Sequence, residues 1–178
     1  MAGRGARKGS RRATWWGGVI VDLKTIIRTA INPALSLLPP KMDTPAARVL
    51  VVSNGLQESR FLHRRQIGGP ALGFWQFERG GGVRGVLTHP ASREHAYRIC
   101  SARGVEPVAA AVYAALEFDD VLAAAFARLL MWTDGWRLPA VGDVQGGWNL
   151  YIRTWRPGKP HPETWPALYA QAVAEVTQ

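Results

Sequence analysis

Along residues 18–32 the apolar positions Val19, Ile20, Leu23, Ile26, Ile27, Ala30 and Ile31 recur at steps of one and three, and Asp22, Lys24, Thr25, Arg28, Thr29 and Asn32 fill the gaps. That spacing predicts an amphipathic helix with a single apolar face. Pro33, then Pro39-Pro40, predict its end and a stiff linker. A body begins near Met42. Thr44 is a natural N-cap and Pro45 suits the first helical position. The stripe Ala46, Val49, Leu50, Ser53 and Leu56 carries that helix to about Phe61. Residues 64–85 hold seven glycines, which predicts a loop with a short β segment rather than a helix. Helical patterns return over 91–103, 106–116, 118–132, 145–155 and 163–176. Asp119 or Asp120 favours the start of its helix electrostatically, and Pro139, Gly142, Gly146 and Gly147 mark a loop ahead of the fifth body helix. Period-two alternation is almost absent. The expected class is mainly α: a helical body, residues 42–178, with one small glycine-rich loop or β segment, preceded over residues 1–41 by a basic tail and an amphipathic helix.

Charge sharpens this division. The 178 residues carry a net charge of +9. Residues 1–41 hold eight Lys/Arg against one acid, and residues 42–178 hold fourteen against twelve. The basicity therefore belongs to the N-terminal segment, where Arg4, Arg7, Lys8, Arg11 and Arg12 alternate with Gly, Ala and Ser. Such a tail reads as a solvated terminus or as a contact for phosphates, anionic lipid or an acidic partner. With 47% hydrophobic and 20% charged residues, bulk disorder is excluded. One cysteine excludes an internal disulfide and a four-thiolate zinc site. There is no apolar run of the roughly 18 residues that a membrane span requires. Asp22, Lys24 and Arg28 interrupt the apolar stretch that a secretory signal would need, so the 18–32 helix is expected to dock on its own domain, a partner or a membrane surface.

One carboxyl stands out. Glu58 ends the first body helix, and Gly73-Phe74-Trp75-Gln76-Phe77 follows fifteen residues on. The residues leave two readings open: an exposed helix-end charge, or a carboxyl whose pKa is raised by apolar neighbours and which serves as a general acid. Eight tryptophans are many for this length; core is their default role, and a carbohydrate groove is the other. Glu78 reads first as a surface charge and second as a further carboxylate. Asp119, Asp120 and Asp134 read as caps or solvated charges. His63, His89, His95 and His161 lack metal-ligand spacing. Cys100 reads as core. Gly80-Gly81-Gly82 lacks the Lys-Ser/Thr of a phosphate loop and reads as a flexible connection. No nucleotide, metal or flavin cofactor is indicated.

Glu58-Ser59-Arg60-Phe61 resembles the E-S-x-F motif of the lysozyme-like superfamily, in particular lytic transglycosylases and goose-type lysozymes. Gly69-Pro70-Ala71-Leu72-Gly73-Phe74-Trp75-Gln76-Phe77 is similar to that family's G-x-x-G-L-M-Q motif, with Phe74 and Trp75 in place of Leu-Met. The late A-Y-N-x-G motif has a rearranged counterpart in Gly146-Gly147-Trp148-Asn149-Leu150-Tyr151. The resemblance spans roughly residues 42–160 and implies a lysozyme-like α+β body. It implies Glu58 as catalytic acid, with Ser59, Gly73, Phe74, Trp75, Gln76 and Tyr151 beside the substrate. It also implies a peptidoglycan glycan strand as partner. In the transglycosylase route the same Glu then acts as base toward the C6 hydroxyl of N-acetylmuramic acid, and no second carboxylate is needed. In a two-carboxylate glycosidase Glu78 would be the second group.

The aromatic loop and the tail-plus-helix arrangement also resemble predicted muramidases built into bacteriophage particles. That implies a virion enzyme of the tail or ejection apparatus, present in several copies and acting on the host cell wall in the periplasm. It would be held to other phage tail or ejection proteins through residues 1–41, with contact of the basic tail to DNA or anionic membrane. The rival expectation is a non-catalytic plug or connector of the particle with a lysozyme-like body.

Overall fold

A computed structural model describes residues 22–177. The basic residues of the tail, Trp15, Trp16 and the Val19-Ile20 start of the expected first helix lie outside the described residues. The described chain is mainly helical. In order the elements are α1 (Leu23–Ile26), a π-helical turn (Ile27–Ile31), α2 (Asn32–Ser36), a 3-10 turn (Pro40–Met42), α3 (Pro45–Ser59), a second π-helical turn (Arg79–Val83), α4 (Arg84–Thr88), α5 (Arg93–Ala102), α6 (Ala109–Ala115), α7 (Asp120–Trp132), α8 (Val144–Trp155) and α9 (Trp165–Val176). No described helix is long and apolar enough to cross a membrane.

Two helices form the centre. α3 and α7 are buried on nearly every face, from Ala47 to Ser59 and from Leu122 to Met131. Helices buried on most faces are mostly apolar, and these two are, with Ser53, Asn54 and Arg128 among the buried polar exceptions. α9 and α7 pack on α3; α2, α5, α4 and α8 pack on α7. The caps follow the sequence. Thr44 Oγ1 accepts from the Ala47 amide at 3.1 Å, and Asp119 Oδ1 accepts from the Leu122 amide at 2.9 Å.

The boundary expected near Met42 does not divide the described chain. α1, the first π turn and α2 run on as one helical segment, and Leu23, Ile26, Ala30, Ile31, Ala34, Leu35 and Leu38 join the same core as α3 and α7. Pro33 does not end this segment. It sits in the first turn of α2, and the wider π turn before it absorbs the amide that proline lacks. The proline stretch is no free linker either. Met42 is fully buried, and its carbonyl accepts from Arg128 Nε at 2.8 Å. The apolar face read from residues 23–31 was real, and the surface it covers is the protein's own.

Residues 64–77 form successive turns without helix. Among the described residues there is no strand; two isolated antiparallel bridges, Arg65 with Leu72 and Leu72 with Phe77, hold these turns together. The second half of the glycine-rich stretch departs from expectation, because Arg79–Thr88 is helical. Gly80, Gly81 and Gly82 lower local propensity, yet Val83, Val86 and Leu87 are buried at helical spacing. Gly82 also lies against the Phe77 ring, where a Cβ would stand 2.7 Å from Cδ1. Packing overrides propensity here.

Candidate active site

A cleft of about 1370 Å³ runs between the end of α3, the 66–82 segment, the end of α7 and the end of α8. Glu58 lines it from the last turn of α3. The C-terminal half of α8 brings Tyr151, ninety-three positions away, so that its phenol donates to Glu58 Oε1 at 2.5 Å. Burial raises the Glu58 pKa from the usual 4.5 to about 7, against the Tyr151 hydrogen bond, which favours the carboxylate. Burial and the neighbouring Glu58 push the Tyr151 phenol well above its ordinary value, so it stays a donor. The reading of Glu58 as an exposed helix-end charge is thereby excluded. Tyr151 occupies Oε1 and leaves Oε2 without a protein partner among the described residues.

The Tyr151 ring is itself fixed. It stacks on Trp165 with centroids 5.5 Å apart and planes 19° apart, and on Trp155 at 6.1 Å and 28°. Trp148 closes a third side at 5.3 Å. Trp155 Nε1 donates to the Trp75 carbonyl at 3.0 Å, which ties α8 to the turn after α3. Gln57 Nε2 donates to the His161 carbonyl at 3.2 Å, and Thr164 Oγ1 donates to Gln57 Oε1 at 3.1 Å. The helical turn that carries Glu58 is therefore pinned from two sides.

The other expected site residues divide. Gln76 lines the cleft, and its Nε2 donates to the Gly73 carbonyl at 2.7 Å and to the His63 carbonyl at 3.3 Å. Glu78 is exposed on the cleft wall. Asp134 also lines the cleft, but Arg153 takes it at 2.8 Å. Ser59, Phe74 and Trp75 do not line the cleft. Ser59 is buried, donates to the Phe74 carbonyl at 2.7 Å and accepts from the Phe61 amide at 3.1 Å. Trp75 is fully buried and donates to the Val51 carbonyl at 2.8 Å, and Phe74 is buried under the Arg64 guanidinium. Their aromatic rings fill core that lies behind the cleft. Gly73 has φ +73°, and a Cβ there would stand 2.6 Å from the Leu116 carbonyl oxygen, so it shapes the turn, and it does not line the cleft. Cys100 is buried and its thiol is pushed up to about 11, in keeping with a core role.

Backbone strain gathers here. Among the described residues the non-glycine positions with left-handed φ are Arg60 (56°), Phe61 (55°), Gln76 (49°) and Arg156 (50°). Each lies at the end of α3, in the 73–77 turn or at the end of α8, the three places that build the cleft. Strain of this kind persists only where surrounding structure enforces it, and it concentrates at functional sites. The Gln57 latch and the pairing of Asp134 with Arg153 were not foreseen, since neither has a local signature. Trp155 had one, in the run Trp155-Arg156-Pro157-Gly158-Lys159-Pro160, but nothing in the sequence said which carbonyl it would reach. Comparison with protein families, with curated proteins and with solved structures finds no match to this chain.

Proposed function

We propose that the protein is a muramidase that cleaves the N-acetylmuramic acid–N-acetylglucosamine bond of peptidoglycan, with Glu58 as general acid and then base. The observation that carries this reading is the half-buried Glu58 carboxyl, raised to about 7, hydrogen-bonded to Tyr151 and lining a large cleft. Near neutral pH a good fraction of Glu58 is protonated. Its proton passes to the glycosidic oxygen as the C1–O bond breaks. The carboxylate so formed gains from the Tyr151 phenol, a hydrogen bond stronger to the charged form than to the neutral acid. It then takes a proton from the C6 hydroxyl, giving a 1,6-anhydro end, or from water, giving a reducing end. The first outcome needs no second carboxylate. The second gives Glu78 a role on the facing wall. The lysozyme-like α+β description of the body is part of this proposal.

The setting proposed is a bacteriophage particle, with the enzyme acting on the host wall during genome ejection. Because residues 23–38 belong to the core, the anchoring segment in this reading shortens to the residues before them. The test is digestion of purified peptidoglycan by the full chain and by Glu58→Gln, with the sugar ends read by mass spectrometry. Anhydro or reducing muramic ends, absent from the mutant digest, support the proposal and distinguish the two routes. No cleavage by folded wild-type protein overturns it in favour of a structural plug.

A further inference from the structure

Of the three arginines that line the cleft only Arg153 is paired, with Asp134; Arg84, on α4, is exposed and has no acidic partner among the described residues. Arg156 and Lys159 sit together in the loop after α8. Both line the cleft and are exposed, and neither has an acidic partner among the described residues. Their loop is held beside the reacting carboxyl, because Gln57, next to Glu58, donates to the carbonyl of His161. Arg156 caps α8 in the left-handed conformation that favours glycine, at φ 50°. Pro157 and Pro160 bracket Gly158-Lys159 and restrict the backbone that carries the two cations, and Arg156 Nε donates to the Arg153 carbonyl at 3.2 Å. Phe77 and Tyr151 are buried, which leaves the partly exposed Trp155 as the indole beside these cations. A neutral sugar chain can stack on that ring but has no use for the two charges.

We infer that Arg156 and Lys159 read carboxylates carried on the lactyl arm of muramic acid, so the enzyme selects acidic, muramic-containing strands over neutral glycans. This rests on the muramidase reading of the same cleft. The carboxylates have two sources, the stem peptide or the bare lactyl group of a stripped strand, and the experiment separates them.

Full-length Glu58→Gln protein, which leaves the wall intact, is co-sedimented with three substrates: native sacculi, sacculi whose carboxylates are amidated with carbodiimide, and strands stripped of peptide by an amidase. The same is done after adding Arg156→Asn and Lys159→Gln; asparagine tolerates the left-handed cap. Two exposed charge contacts predict about fivefold tighter binding to native than to amidated sacculi, falling to parity in the variant. The tail is common to both proteins, so its attraction cancels in this comparison. The lactyl carboxyl is an amide wherever a stem peptide is attached, so stripped strands bound more tightly than native sacculi assign the lactyl carboxylate, and weaker binding to them assigns the stem peptide. Equal binding of the wild-type site to native sacculi, amidated sacculi and stripped strands overturns the inference, as does a preference that survives in a variant with an unchanged melting temperature. A greater loss of duplex DNA binding than of wall binding in the variant overturns it in favour of phosphate. Cleavage is scored separately with Glu58 restored. Cleavage without carboxylate preference sinks this inference alone, whereas carboxylate preference without cleavage sinks the muramidase reading alone.

Discussion

Replacing Glu58 by glutamine should make the protein more stable above neutral pH while abolishing cleavage. In the native state Glu58 has a pKa of about 7, against an ordinary value of 4.5. Between these values the folded chain binds more protons than the unfolded chain, so stability falls as pH rises. The contribution is complete below about 4.5 and gone above about 7. At roughly 1.4 kcal/mol per pH unit, the carboxylate costs about 3 kcal/mol at pH 8. Glutamine matches the neutral acid in shape, and its carbonyl can still accept from Tyr151. Urea unfolding of both proteins from pH 4 to pH 8.5 gives the difference directly, because every other titrating group is shared. The two should match near pH 4, diverge from pH 5 to 7, and differ by about 3 kcal/mol in favour of the mutant at pH 8. A difference that stays flat with pH would refute the buried-acid argument, and general acid catalysis by this residue would lose its physical basis.

Three further outcomes test other parts of the structure. Tyr151→Phe removes the one hydrogen bond that favours the Glu58 carboxylate. The alkaline limb of the pH–activity profile should move up by about one unit and the maximum rate should fall, as read by dye release from labelled peptidoglycan; an unmoved limb in a folded variant contradicts the coupling. Gly55→Ala drives a methyl into the Phe61 ring, which Phe74 and Trp75 hold edge-on at 5.5 Å. Thermal unfolding should show a loss of about 1–3 kcal/mol despite the better helix propensity of alanine. Arg128 is buried across α7, with burial lowering its pKa to about 10, and it ties the Met42 carbonyl to the core. Arg128→Ala should cost about 2–4 kcal/mol in urea unfolding, and Arg128→Met, which keeps the volume, should cost less than about 1.

The helices were legible because their signals are local. Thr44-Pro45 and Asp119 cap α3 and α7 as the sequence indicated, and the five later helices begin and end within a few residues of the expected positions. The Arg79–Thr88 helix was hidden by three glycines whose low propensity is offset by burial of Val83, Val86 and Leu87. At the site, Glu58 and Tyr151 were both named from motif-like runs, but their meeting was not readable, since it requires α8 to cross the end of α3. Ser59, Phe74 and Trp75 were expected beside a groove and are turned into the core. An aromatic in a glycine-rich turn looks the same in sequence whether it faces a groove or backs it, and only packing distinguishes the two.

By itself the sequence determined a mainly helical chain, the caps of its two central helices, an amphipathic first helix and a carboxyl at the end of the first of those central helices. Periodicity and capping act within a few residues, so they survive translation into structure. Tertiary structure decided what covers each face. It assigned the first helix to the protein's own core, turned the 74–75 aromatics inward and carried Tyr151 to Glu58 across ninety-three positions. The raised pKa of Glu58 belongs to that second category, because desolvation is set by distant segments that exclude water and not by the neighbours along the chain.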